Sequence, residues 1–201
     1  MMNKKGTILL SVVSICVLLV GCNSDGKETV VSENTVSVAE EIAGGVSENV
    51  IPQEALTYNG ISFPIPEEFV EWEENTDTSR LYVSNVYEDY SFIYYERSVR
   101  RETDCLPTEE EMRAEAEETF AGGVLKSYEV TEQEGYEKSV SEITFTNEDG
   151  IAYTMWSYTY LTEEYWFMVQ FVEGGIGDWE TTFSRCGNEI VLTNVLGDEL
   201  Q

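Results

Sequence analysis

Apolar and polar positions alternate along this chain with two different periods, and each change of period marks a change of element. Alternation from Leu56 to Ile65 brackets Asn59-Gly60, a dipeptide that readily takes the positive φ angles of a two-residue turn, and predicts a hairpin. Arg80 to Ser84 and Ser91 to Arg97 read as the next strands. The period then lengthens: Met112, Ala116 and Phe120 recur every four residues as one narrow apolar stripe. Thr108 and Glu111 form a capping box, Pro107 precedes it, and Gly122-Gly123 end the helix. Alternation returns over Val124 to Thr131, Lys138 to Thr146, Ile151 to Tyr160 and Tyr165 to Val172, with turns at Asn147 to Gly150 and Leu161 to Glu164. A closing helix is predicted behind Asp178 as N-cap, its stripe being Trp179, Phe183, Cys186 and Ile190. The sum is an α/β fold: an antiparallel sheet of about six to seven strands with two main helices.

Register arithmetic assigns the faces. If each of the last two hairpin loops holds an even number of residues, Ile143, Phe145, Trp156, Tyr158, Tyr160, Phe167, Val169 and Phe171 share the core side. Glu142, Thr144, Tyr153, Met155, Ser157, Thr159, Trp166, Met168 and Gln170 then fall on the other side, a mixture of apolar and polar groups. Such a face is either a ligand or partner surface or one covered by another segment, with Pro66 to Trp72 or the chain end as candidates. Tyr153, Met155, Ser157, Trp166, Met168 and Gln170 are its candidate binding residues.

The first 54 residues follow neither period. Lys4 and Lys5 precede an apolar run from Ile8 to Val20, too short for the about 20 residues that span a bilayer core but suited to an export signal. Leu19-Val20-Gly21-Cys22 resembles the lipobox of bacterial lipoproteins, which implies cleavage before Cys22, acylation of its sulfur and attachment to the extracytoplasmic face of a membrane. Two acyl chains hold stably where one does not, since each buried CH₂ contributes about 0.8 kcal/mol. Residues 1–21 are thus read as signal, 22–54 as lipidated Cys and acidic tether, and 55–196 as one globular domain. The tether carries no aromatic residue and has too little apolar surface to offset its ordering entropy. As a flexible coil it reaches roughly 30 Å.

Composition narrows the chemistry. Without the signal, nine basic residues face 39 acidic ones, a net charge of −30 that repels phosphate backbones, so no nucleic-acid partner is expected. Histidine is absent, which removes the commonest general base and metal ligand, and neither cofactor nor metal is expected. The G-x-S-x-G, C-x-x-C, H-E-x-x-H and Walker patterns are missing. Ser24 to Lys27 matches S-x-x-K but lies in the tether with no element to position it. The glutamates of the first helix read as a solvated face that also suits the helix dipole. Arg97, Arg100 and Arg101 read as neutralising Glu96, Glu102 and Asp104. Cys105 and Cys186 remain as either one disulfide or two free thiols.

Tyr58 to Trp72, YNGISFPIPEEFVEW, resembles the opening of PsbP-like domains, in which a polar turn leads into a strand ending in Pro and an aromatic residue. The element order that follows is similar over about residues 55 to 192. The resemblance implies a PsbP-like α/β sandwich and mostly non-catalytic roles, as in the photosystem II extrinsic subunit and PsbP-like bacterial lipoproteins. The lack of histidine departs from members with metal-linked roles, and no functional residue carries over. The expected function is a lipid-anchored binding or assembly module for a protein, peptide or small ligand. A carboxylate-dependent surface enzyme, or an accessory lipoprotein of a transport or envelope complex, is the alternative.

Overall fold

In a computed structural model, which describes residues 55–58 and 60–192, the alternating segments become strands and the longer-period segments become helices. The signal, Cys22, the tether, Asn59 and the chain beyond 192 lie outside the described residues. Seven antiparallel strands form the main sheet in the order β3 (Phe69–Glu71), β4 (Ser79–Ser84), β5 (Phe92–Val99), β9 (Tyr165–Gly174), β8 (Ala152–Thr162), β7 (Tyr136–Thr146) and β6 (Val124–Gln133). A smaller sheet orders β1 (Ala55–Tyr58), β2 (Ile61–Pro64) and β10 (Val191–Leu192). Tyr58 pairs with Ile61 across the predicted hairpin, where Gly60 takes φ +100°. Helices α1 (Glu109–Thr119) and α2 (Glu180–Asn188) complete the fold.

The main sheet is covered on both faces. On one, α2 and the small sheet bury Tyr158, Tyr160, Phe167, Val169 and Phe171 together with Ile61, Phe63, Phe183 and Cys186. On the other, Ala116 and Phe120 of α1 lie against Ile143, Phe145, Tyr153, Met155 and Met168. An α-helix and a sheet each bury one apolar side, so a sheet with two apolar sides needs two covers.

One hairpin departs from the even-loop expectation. Thr146 pairs with Ala152, leaving five residues, 147–151, in the loop. Asn147 Oδ1 accepts from the backbone N–H of Asp149 and Ile151, and Gly150 turns the chain at φ +80°. An odd loop moves side chains to the opposite face. Ile143 and Phe145 therefore stand opposite Met155 and Tyr153, while Glu142 and Thr144 pair with Trp156 and Thr154. The β8–β9 loop is even, as expected: Leu161 pairs with Trp166.

Two other differences matter. The strands β6 and β7 run on to a turn at Glu134-Gly135, where Gly135 has φ +86°, and the ladder shifts between Leu125 and Ser127, a bulge at Lys126. Pro66 to Trp72 does not cover the mixed face. It contributes β3 to the sheet edge, with Phe69 turned to the α2 side at 5.0 Å from Trp179 and 5.5 Å from Phe183. Trp72 alone packs at the margin of the mixed face.

Candidate functional site

The mixed face is the first place to look, and it is closed. Tyr153, Met155, Ser157, Met168 and Gln170 are all buried, and Trp166 is half-buried. Their predicted role as an open binding face is corrected by the position of α1, whose Phe120 stacks on Phe145 at 4.4 Å, as Phe145 stacks on Tyr153 at 5.2 Å. Burial pushes the Tyr153 phenol up to about 12. The polar members are internal fittings: Gln170 Nε2 donates to Ser157 Oγ at 3.1 Å. Gln170 Oε1 has no hydrogen-bond partner among the described residues, a buried acceptor that carries a desolvation cost.

The disulfide alternative is also decided. Cys105 and Cys186 are not joined by a disulfide; the first is exposed and the second buried. Cys105 lies in the segment that leads into α1, and Cys186 lies on the buried side of α2, within the core of that face. Burial pushes the Cys186 thiol up to about 11. Cys22, the predicted lipidation site, lies outside the described residues.

On the α2 side, Tyr136, Lys138, Tyr158 and Tyr160 form an aromatic strip along β7 and β8, in which Tyr158 and Tyr160 are buried and Tyr136 and Lys138 half-buried. The Lys138 ammonium stands 5.5 Å from the Tyr158 ring and 5.4 Å from the Tyr160 ring. Desolvation lowers its pKa and the nearby Glu129 acts against that. The Tyr160 hydroxyl is buried without a hydrogen-bond partner among the described residues, and burial raises its pKa. Arg97 lies over the Tyr165 ring at 5.0 Å, and Arg100 Nη1 donates to the Thr162 carbonyl at 2.8 Å. Among the described residues no three His, Cys, Asp or Glu side chains are grouped to hold a metal ion.

The most elaborately held surface is at one end of the sheet, where the β4–β5 loop (85–91) meets the β9–α2 loop (175–179). Asp89 is buried between them and organises both. Its Oδ1 accepts from the Ser91 N–H at 3.0 Å, and its Oδ2 accepts from Ser84 Oγ at 2.6 Å and from the Trp179 indole at 2.8 Å. Asp89 also bridges to Gly175 in antiparallel fashion, and Tyr90 N–H donates to the Gly174 carbonyl at 3.0 Å. Glycine is required at 175: its φ is +79°, and a Cβ there would stand 2.5 Å from the Glu88 carbonyl oxygen. Glu88 itself sits at φ +59°, the positive-φ non-glycine residue among those described. A loop so pinned presents its tips rigidly, and Tyr87 is 75% exposed while Ile176 is 67% exposed.

Neither loop was singled out by periodicity, because both lie between strands. The available signals were local: a glycine-rich run, Gly174-Gly175-Ile176-Gly177, and an aromatic pair, Tyr87 and Tyr90, around a carboxylate. The contact joining them spans 90 residues, which no local pattern records.

No protein-family model matches the chain, and no curated protein matches it. Among solved structures, the solution structure of cyanobacterial PsbP (CyanoP) from Synechocystis sp. PCC 6803 is similar with a TM-score of 0.54 at 10% identity, covering 74% of this chain and 98% of that one. A crystal structure from Bacteroides thetaiotaomicron VPI-5482 is similar at 16% identity and a TM-score of 0.41, covering 66% of this chain and 45% of that one, too loosely to support an argument. The likeness to CyanoP shows a PsbP-like fold, as the opening motif and element order implied. At this identity it bears on the fold alone.

Proposed function

We propose that this chain, on its PsbP-like scaffold, is a lipid-anchored extracytoplasmic module that binds or assembles with a partner and carries no reaction centre of its own. The observation that carries this reading is the pinned loop end: a buried carboxylate holds two loops so that an exposed tyrosine and isoleucine project from a rigid edge. Exposed apolar side chains on a rigid mount suit recognition, because little conformational entropy remains to be lost on binding. The sequence supplies the rest. The lipobox at Leu19 to Cys22 gives the anchor, and the aromatic-free tether gives the domain freedom to reach partners beyond the lipid surface.

Two measurements test the reading. Cys22→Ala in the full chain should abolish labelled palmitate incorporation; label retained in the variant would sink the anchor. Cross-linking of the full chain in its own membranes should then yield one reproducible partner adduct that purified chain alone does not form. A chain that remains uncrosslinked under conditions that trap known membrane complexes would overturn the binding role.

A further inference from the structure

The two ends of the main sheet differ in charge. At the loop end, the segments 66–68, 85–91, 121–123, 147–151 and 174–179 converge, since Phe69 pairs with Ser84, Phe92 with Val172, Tyr153 with Gly174 and Val124 with Thr144. These segments contain no Lys or Arg, while Glu67, Glu68, Glu88, Glu148, Asp149 and Asp178 are all exposed there. At the opposite end, acidic residues are interspersed with Arg97, Arg100, Arg101 and Lys138. Within the acidic end stand the exposed apolar side chains Val86, Tyr87 and Ile176. Tyr87 and Ile176 flank the point where the Glu88 carbonyl meets Gly175, so they belong to one edge.

We propose that this edge is a docking surface for a cationic protein segment bearing apolar side chains, with Tyr87 and Ile176 supplying the contact and the surrounding carboxylates selecting its charge. The inference rests on the binding-module reading and adds the surface and the partner's chemistry. Charge complementarity decides the occupant. A second copy of this chain would bring the same acidic edge against itself, and an anionic lipid headgroup would be repelled in the same way. A divalent cation would need converging donors, and no such group is found among the described residues. A segment carrying Lys or Arg beside Leu or aromatic residues satisfies both features at once. The carboxylates speed encounter and the apolar pair holds the complex.

The probe is a synthetic 15-residue peptide alternating Lys with Leu, compared with peptides of the same length alternating Lys with Ser and Glu with Leu. Binding to the full chain is followed by fluorescence anisotropy at low and at physiological salt. The Lys-Leu peptide should bind at least about tenfold more tightly than either control. Tyr87→Ala combined with Ile176→Ser should remove that advantage with the melting temperature retained. Should that double variant fail to fold, Glu67→Gln combined with Glu68→Gln supplies the second arm, lowering affinity and flattening the salt dependence. Equal binding of the Lys-Ser peptide, or an unaltered affinity in the apolar double variant, overturns the proposal, as does self-association through Tyr87 in sedimentation. If the apolar double variant still forms the partner adduct in membranes, this surface is wrong and the binding module stands. If wild type forms no adduct, the module reading has failed instead.

Discussion

The two helices cover opposite faces of one sheet, and their N-termini are held in opposite ways. At α1 the cap is entirely local: Thr108 Oγ1 accepts from the Glu111 N–H at 3.3 Å, and Glu111 Oε2 accepts from the Thr108 N–H at 2.8 Å. The Tyr128 hydroxyl then ties the preceding segment down by donating to the Pro107 carbonyl. At α2 the cap position is Trp179, in helical conformation and with no side-chain cap bond of its own; Asp178, the predicted cap, is exposed. The Trp179 backbone N–H donates to Glu173 Oε2 at 2.9 Å and the Trp179 indole to Asp89. One helix brings its own start signal; the other has its start imposed by the sheet. The start of the first helix is encoded in its own sequence, whereas that of the second is set only by tertiary packing.

The largest test of that contrast is Phe183→Ala. Phe183 is fully buried among Phe69, Phe171, Trp156 and Trp179, and its removal should cost about 3–5 kcal/mol in urea unfolding. Cys186, protected from alkylation in the wild type, should become reactive in the same variant, while the reaction of exposed Cys105 stays unchanged. Trp179→Phe keeps an aromatic ring, smaller than the indole, but removes the N–H donor, leaving a buried carboxylate short of one bond. A loss of about 1.5–3 kcal/mol is expected. A loss below that of Thr108→Ala would mean that the distant contact is not what holds α2. Thr108→Ala should itself cost about 1 kcal/mol by equilibrium denaturation.

The smallest effect has the most informative sign. The backbone N–H and side chain of Thr108 hold the Glu111 carboxyl below the usual glutamate range. Its contribution is therefore present above that range and lost as pH falls through the lowered value. Glu173 is shifted the other way: burial raises its pKa, assisted by Asp178 and Glu180 and opposed by hydrogen bonds from Trp179 and Glu180. Its contribution is full when protonated and lost as pH rises through the raised value. Urea midpoints measured between about pH 3 and 7 should thus show Glu111→Gln losing ground to wild type as pH rises and Glu173→Gln gaining on it. Parallel slopes would remove the distinction between the two caps.

The same contrast explains what could be read from the sequence. The Thr108 box, the stripe through Ala116 and Phe120, and the strand order from β6 to β9 were legible because each is encoded within a few residues. The register of β7 was not, because Ile151, held by Asn147 Oδ1, joins a loop that looks like four residues as its fifth, and one residue exchanges the faces of Ile143 and Phe145. Gln170 and Ser157 left the role of their face open, because polar side chains on alternate positions normally face water; here they are buried and bond to each other. The Asp89 site was invisible for a further reason. Ser84 and Ser91 belong to the ends of its own loop, but Trp179 lies 90 residues away and reaches it only when the sheet is complete.

The bulge at Lys126 governs how this molecule behaves in a crowd. Strand β6 forms one margin of the main sheet and, at ten residues, is much longer than β3 at the other margin, which has three. A long margin is a template on which a stray strand from another molecule can add, and repetition of that step builds fibres. The bulge breaks the straight run of backbone groups near the start of β6, and Lys126 places a charge at the break. Beyond it, Glu129 and Glu132 continue the protection along the margin. Straightening this strand should leave its neighbours' packing in place and ease the addition of strands from other copies.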